Sequence, residues 1–112
     1  KNLDLVSRQY REYFAKIEAY IQNHISEPIT RQGISDSIHI SSDYISHIVR
    51  SVAECSCKEL ITREKMKYAR GLIENTTQPI GNIAIACGYD SFAYFSKVYK
   101  ATYGVSPRRD RK

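Results

Sequence analysis

Tyr44-Ile45-Ser46-His47-Ile48-Val49-Arg50 returns fifty positions later as Tyr94-Phe95-Ser96-Lys97-Val98-Tyr99-Lys100, with aromatic, apolar, hydroxyl and basic character at matching places. In both copies the apolar pair, Ile45 with Ile48 and Phe95 with Val98, is spaced three apart and shares one helical face. Ser46 with Arg50, and Ser96 with Lys100, lie on the opposite face. The spacing predicts the same helix used twice, one side packing and the other touching a partner.

The flanking segments extend the repeat. Upstream of the first copy, Thr30 is suited to cap a short helix whose Ile34 and Ile38 share a buried face, and His39-Ile40 makes a tight connection to Ser41 or Ser42, which caps the repeated helix. Gly33 inside that short helix is unfavourable by roughly 1 kcal/mol relative to Ala, which suits close packing or a weak helix. Upstream of the second copy, Pro79 is expected at the first helical position, Ile80, Ile83, Ala84 and Cys87 face inward, and Gly88 ends the helix with a positive φ. Asp90 or Ser91 then caps the second copy, which runs to Tyr103-Gly104. The copies align at an offset of 49 through the short helix (Ile34 with Ile83, Ile38 with Cys87) and 50 through the repeated one, so the two turns differ by one residue.

Ahead of the first copy, Val6, Tyr10, Tyr13, Ile17 and Tyr20 step by four and three, with Phe14, Ile21 and Ile25 widening the stripe, which predicts a long amphipathic first helix ended near Asn23 and Pro28. Between the copies, Ser56-Cys57-Lys58-Glu59 fits a capping box, followed by Leu60, Ile61, Met66, Ala69, Leu72 and Ile73 on one side of a long connecting helix. Strand signals are nearly absent. The expected fold is all-α with about seven helices, divided as residues 1–55, a linker helix over 56–75, and 76–112.

Composition narrows the partner. The chain has 112 residues, 42% hydrophobic and 26% charged, which fits one compact domain or two very small ones sharing a core. Residues 1–50 carry six basic and six acidic groups, whereas 51–112 carry eleven and six, so the whole net charge of +5 lies in the second half. A basic surface favours a polyanionic partner. No apolar run approaches the roughly 18 residues of a membrane span, and no signal-peptide pattern opens the chain. A soluble, cytoplasmic location without membrane contact is therefore expected. Three cysteines (Cys55, Cys57, Cys87) argue against a disulfide framework, and the missing initiator Met suggests an excised fragment.

A short helix, a tight turn and a second helix with a polar, hydroxyl-rich and basic face form the helix-turn-helix pattern, whose second helix fits the DNA major groove. Two such units on one chain would occupy two half-sites without dimerising. A connector over Ser56 to Glu74 would span about 28 Å as a helix, close to the roughly 34 Å between successive major-groove faces.

From Ile29 to Arg111 the chain resembles the DNA-binding domain of AraC/XylS-type bacterial transcription regulators. The likeness rests on Tyr44-Ile45-Ser46, on Ala69 with Leu72-Ile73, on Ile80-x-x-Ile83-Ala84-x-x-Cys87-Gly88-Tyr89-x-Ser91-x-x-Tyr94-Phe95-Ser96-Lys97-x-Tyr99-Lys100, and on Gly104-Val105-Ser106-Pro107. The resemblance implies sequence-specific binding of double-stranded promoter DNA by two recognition helices in consecutive major grooves. By position, the first would present Asp43, Ser46 and His47 to base edges with Arg50 nearer the phosphates; the second would present Phe92, Ala93, Ser96 and Lys97 with Lys100 toward the backbone. Lys97 can donate to guanine O6/N7, Ser46 and Ser96 can serve either base type, Phe92 or Ala93 can pack on a thymine methyl, and Asp43 can accept from cytosine N4 or cap its own helix. The family also implies an N-terminal sensory or receiver domain as partner, with RNA polymerase a further candidate.

The first unit departs further from the family pattern, which commonly has Arg at 47, Phe at 49 and Ala at 35; Tyr commonly stands where Asp110 does in the closing motif. The second unit and the basic tail Arg108, Arg109, Arg111 and Lys112 are therefore expected to supply most of the affinity. Lys58, Arg63, Lys65, Lys67 and Arg70 are candidates for phosphate contacts or for a solvated face. Tyr44, Tyr89, Tyr94 and Tyr99 read as core. His24 and His39 read as surface or turn residues, and Cys87 as a small core residue. Cys55-x-Cys57 without a partner pair does not make a zinc site, and no cofactor or enzymatic constellation is recognisable. The competing function is a helical protein-interaction domain that has lost DNA readout and docks a partner on the first helix's apolar stripe.

Overall fold

The computed structural model describes residues 2–111, with side chains described from Val6 onward. Lys112 of the basic tail lies outside the described residues. Among the described residues there are seven helices and no strand: α1 (Asn2–Asn23), α2 (Arg31–Ile38), α3 (Ser42–Ala53), α4 (Cys57–Asn75), α5 (Ile80–Ala86), α6 (Phe92–Tyr103) and α7 (Pro107–Asp110). Two compact units result, one of residues up to His24 with Ile29–Thr62, the other of Ile25–Pro28 with Arg63 onward. The connecting helix α4 is thus shared between the units, and the segment after α1 belongs to the second.

In the first unit Ile17 and Ile21 of α1, Ile34 of α2, and Ile45, Ile48 and Val49 of α3 are all fully buried. Tyr10 and Tyr13 meet Tyr44 edge-on, each with ring centroids 5.8 Å apart. The apolar stripe of α1 is therefore consumed within its own unit, except that Val6, a turn before Tyr10, stays 44% exposed. Thr30 caps α2 by accepting from the Gly33 amide at 2.9 Å. Any Cβ at Gly33 would stand 3.2 Å from both Thr30 Oγ1 and the Tyr20 hydroxyl, so the helix-weakening glycine answers a close contact. His39 closes α2 in the left-handed region at φ 61, and the Ser35 hydroxyl donates to the Ile40 carbonyl at 2.5 Å, bracing the turn. Ser41, rather than Ser42 or Asp43, caps α3 by accepting from the Tyr44 amide at 3.1 Å. Around the start of α4 the capping box is reciprocal: Glu59 N donates to Ser56 Oγ at 3.0 Å and Ser56 N to Glu59 Oε1 at 2.9 Å.

The second unit packs Met66, Ala69 and Ile73 of α4 against Ile83, Ala84 and Cys87, and against Phe95 and Tyr99 of α6. Pro79 precedes α5 instead of opening it: its ψ of 141 is extended, and its carbonyl accepts from the Asn82 and Ile83 amides. The helix ends in a paired set of bonds, Tyr89 N to Ala84 O at 3.0 Å and Gly88 N to Ile85 O at 2.9 Å, which requires the left-handed φ of 83 that Gly88 supplies. α5 stops at Ala86, one residue short of the position aligned with Ile38, so the second turn (residues 87–91) is longer than the first (39–41). Ser91 caps α6 by accepting from the Tyr94 amide at 3.1 Å.

Polar clamps hold the irregular segments of this unit. Lys65 is only 7% exposed, and its ammonium donates to the carbonyls of Ile25 (2.5 Å), Glu27 (2.8 Å) and Cys87 (2.9 Å). Burial lowers its pKa, with Cys87 and Glu27 acting in the opposite sense. A Cβ at Gly88 would come within 3.0 Å of that Nζ and 3.2 Å of the Ser26 backbone, so glycine is required there for space as well as for φ. Arg111 closes the far end, donating from Nε to Ile73 O (3.2 Å), from Nη1 to Gln78 O (2.5 Å) and from Nη2 to Thr76 O (3.2 Å). Tyr99 donates to Asp110 Oδ2 at 2.5 Å, and burial together with this bond raises the phenol's pKa. Arg70 stands 3.3 Å from both Asp110 and Glu74 and 4.4 Å over the Tyr103 ring.

Candidate nucleic-acid interface

The two sets of residues anticipated as readers fall on equivalent strips. Asp43, Ser46, His47 and Arg50 on α3, and Ala93, Ser96, Lys97 and Lys100 on α6, follow the same i, i+3, i+4, i+7 spacing, which places each set on one helical face. In each unit the packing side is opposite: Ile45, Ile48 and Val49 on α3, Phe95 and Tyr99 on α6 are fully buried. Asp43, His47, Arg50, Ala93, Lys97 and Lys100 are exposed, whereas Ser46 and Ser96 are half-buried. Phe92, at the first position of α6, is 46% exposed, large for an aromatic ring with a core beside it.

The strips differ in what holds them. On α3, Ser46 Oγ accepts from Arg31 Nη1 at 2.5 Å, and the His47 ring meets Tyr10 edge-on at 5.7 Å and 87°. Lys97 and Lys100 of α6 project without an ion pair among the described residues. Arg31, exposed at the start of α2, was not anticipated as part of this face. A side-chain bond spanning fifteen positions leaves no local signature in sequence.

Several anticipated roles change. Lys65 is a buried clamp with no free ammonium for a phosphate. Arg70 is engaged by Glu74, Asp110 and Tyr103, and Arg111 by three carbonyls, so among the described tail cations only Arg108 and Arg109 are exposed. Lys58, Arg63 and Lys67 on α4 remain exposed. Tyr94, expected in the core, is 56% exposed and touches Tyr89 at 6.0 Å; its counterpart Tyr44 is covered by rings of α1, for which the second unit has no equivalent. Cys55, Cys57 and Cys87 are buried thiols, and burial pushes Cys87 up to about 11, against the opposing pull of Lys65. Among the described residues no group of three or more His, Cys, Asp or Glu is placed to hold a metal ion, and no helix is long and apolar enough to cross a membrane.

Two helix-turn-helix units, each offering an exposed polar strip on its second helix, define a class of DNA-binding domain. The helix-turn-helix domain family matches residues 34–112. The HTH-type transcriptional regulator YisR of Bacillus subtilis (strain 168) is 32% identical over 93 residues, 83% of this chain and 32% of that regulator. The C-terminal domain of AraT, a response regulator from Geobacillus stearothermophilus, superposes with a TM-score of 0.77 at 32% identity, over 95% of this chain and 83% of that one. The DNA-binding domain of the global transcriptional factor AdpA, solved with a target DNA, shares the fold at a TM-score of 0.79 and 18% identity, over 87% of each chain. The chain belongs to the AraC/XylS-type helix-turn-helix family of transcription-regulator DNA-binding domains. It spans about a third of the length of YisR.

Proposed function

We propose that the chain reads double-stranded promoter DNA sequence-specifically, with α3 and α6 each entering a major groove, in consecutive grooves. The observation that supports this most directly is the face of α6: Phe92, Ala93, Ser96, Lys97 and Lys100 together combine a ring and a methyl suited to a thymine methyl, a hydroxyl and two exposed cations. On α3, Asp43, Ser46 and His47 are the proposed base-edge residues and Arg50 the phosphate contact. The likeness of fold to the DNA-bound AdpA domain supports the same reading. We extend the proposal to a longer regulator, in which this domain answers to a sensory or receiver part and contacts RNA polymerase; the likeness to a domain of a response regulator favours that arrangement.

Selection of bound duplexes from a random library at two salt concentrations tests the proposal. The expected outcome is a bipartite motif with half-sites about one helical turn apart and an affinity that falls steeply with salt. A single half-site would reduce the first unit to a scaffold, and no enrichment would overturn the proposal. From Tyr10 onward the apolar stripe of α1 packs within its own unit, which favours the DNA-binding reading over a protein-docking one.

A further inference from the structure

We propose that Arg31 biases Ser46 toward donating, so that it favours base-edge acceptors over the cytosine amino group; this rests on the DNA-binding reading above. A serine hydroxyl ordinarily tolerates either base type because it holds one hydrogen and two lone pairs. Here Arg31 Nη1 already donates to Ser46 Oγ at 2.5 Å. A guanidinium has no acceptor, so the hydroxyl hydrogen has to point elsewhere. The usual internal outlet for a helical hydroxyl is the carbonyl four residues back, as Thr102 uses on Val98 at 2.8 Å. Among the described residues Ser46 makes no such bond. Its hydrogen is left for an outside acceptor, while the neighbouring cation polarises the hydroxyl and disfavours an amino group approaching its remaining lone pair.

The second unit supplies a built-in control. At the offset of 49 that aligns the short helices, the position of Arg31 is held by Ile80, which is apolar and half-buried. Ser96 therefore has no guanidinium to fix its sense and stays free to donate or accept. The two serines of the repeat differ in what they can read, although they are the same residue at the same place.

In the major groove guanine N7 and O6, adenine N7 and thymine O4 are acceptors, whereas cytosine presents only its N4 amino group. The wild-type chain is expected to enrich the acceptor-bearing bases guanine, adenine or thymine over cytosine at one position of the half-site bound by the first unit. Duplex selection with Arg31→Leu, Ser46→Ala and the double variant tests this. Each single variant should flatten that one position by about tenfold, within the range of a directional base contact, leaving the other positions in place, and the double variant should lose no more. Arg31→Gln, whose amide accepts as well as donates, should admit cytosine there and serves as the second variant should Arg31→Leu fail to fold. A uniform weakening across all sequences on losing Arg31 would make it a phosphate contact or a brace and overturn the proposal, as would a wild-type preference for cytosine. Absence of any enriched duplex for the wild-type chain would instead bring down the DNA-binding reading itself.

Discussion

α3 and α6 are near-copies in sequence and bury the same side, yet their outward faces are supported in opposite ways. On α3 the neighbours reach onto the polar strip: Arg31 bonds Ser46 and Tyr10 backs His47. On α6 the strip is bare, and the polar bonds of its unit are spent behind it, on the loops that Lys65 and Arg111 clamp. A repeat determines which residues of a helix pack. What packs alongside determines which of the others remain free, and here α1 accompanies only the first copy.

The largest expected effect comes from removing the clamp peculiar to the second unit. Lys65→Met keeps the stem but strands three carbonyls that share one ammonium, a cost of about 2–4 kcal/mol. Urea denaturation gives the magnitude, and hydrogen exchange locates it, with protection expected to fall in α5 and residues 87–91 and to persist in α1–α3. A loss under about 1 kcal/mol would mean that the apolar cluster of the second unit suffices alone, and the contrast between a second unit locked by a buried cation and a first one without such a clamp would lose its force.

The proposed reading strips come next in size. Lys97→Ala is expected to cost about 1–3 kcal/mol of binding free energy and to relax base preference at one position, the scale of a base-contacting cation. His47→Ala should cost under about 1 kcal/mol, because this ring is partly occupied with Tyr10 and an edge-on aromatic pair is itself worth only about that much. Affinities for the selected duplex, measured at one salt concentration, decide it. Equal losses, or a larger one at His47, would show that support from α1 enhances a reader instead of restraining it.

Most of the fold was legible because its signals are local. Caps at Thr30, Ser41, Ser56 and Ser91, the stop at Gly88, and the apolar spacing of each helix act over four residues or fewer, and the structure keeps them with shifts of one residue at Pro79 and Ala86. Lys65 could have been found: it lies four residues from both Ile61 and Ala69, on the buried side of α4, where a cation requires partners. Its three carbonyl partners could not, since they come from segments 22 to 40 positions away. Tyr94 failed for the converse reason. Its likeness to Tyr44 was real, but burial at Tyr44 is conferred by α1, and no pattern within the repeat records that difference. The strip residues were legible by position in the repeat; the bond from Arg31 that changes the character of one of them was not.

A finer contrast separates two arginines that sequence alone treats as one basic tail. Arg109 is exposed at α7, while Arg111 spends its guanidinium on Ile73, Thr76 and Gln78. A cation that neutralises a phosphate contributes roughly one unit to the slope of log affinity against log salt, whereas a cation bonded to carbonyls contributes to folding. Arg109→Ala should therefore lower that slope by about one with little change in stability. Arg111→Ala should cost about 1–2 kcal/mol of stability, as expected for hydrogen bonds from a charged donor, and leave the slope unchanged. If Arg111→Ala lowered the slope as much as Arg109→Ala, the clamp would have to open on DNA. The second unit would then exchange internal bonds for phosphate contacts, and its bare reading strip would belong to a scaffold that remodels on binding.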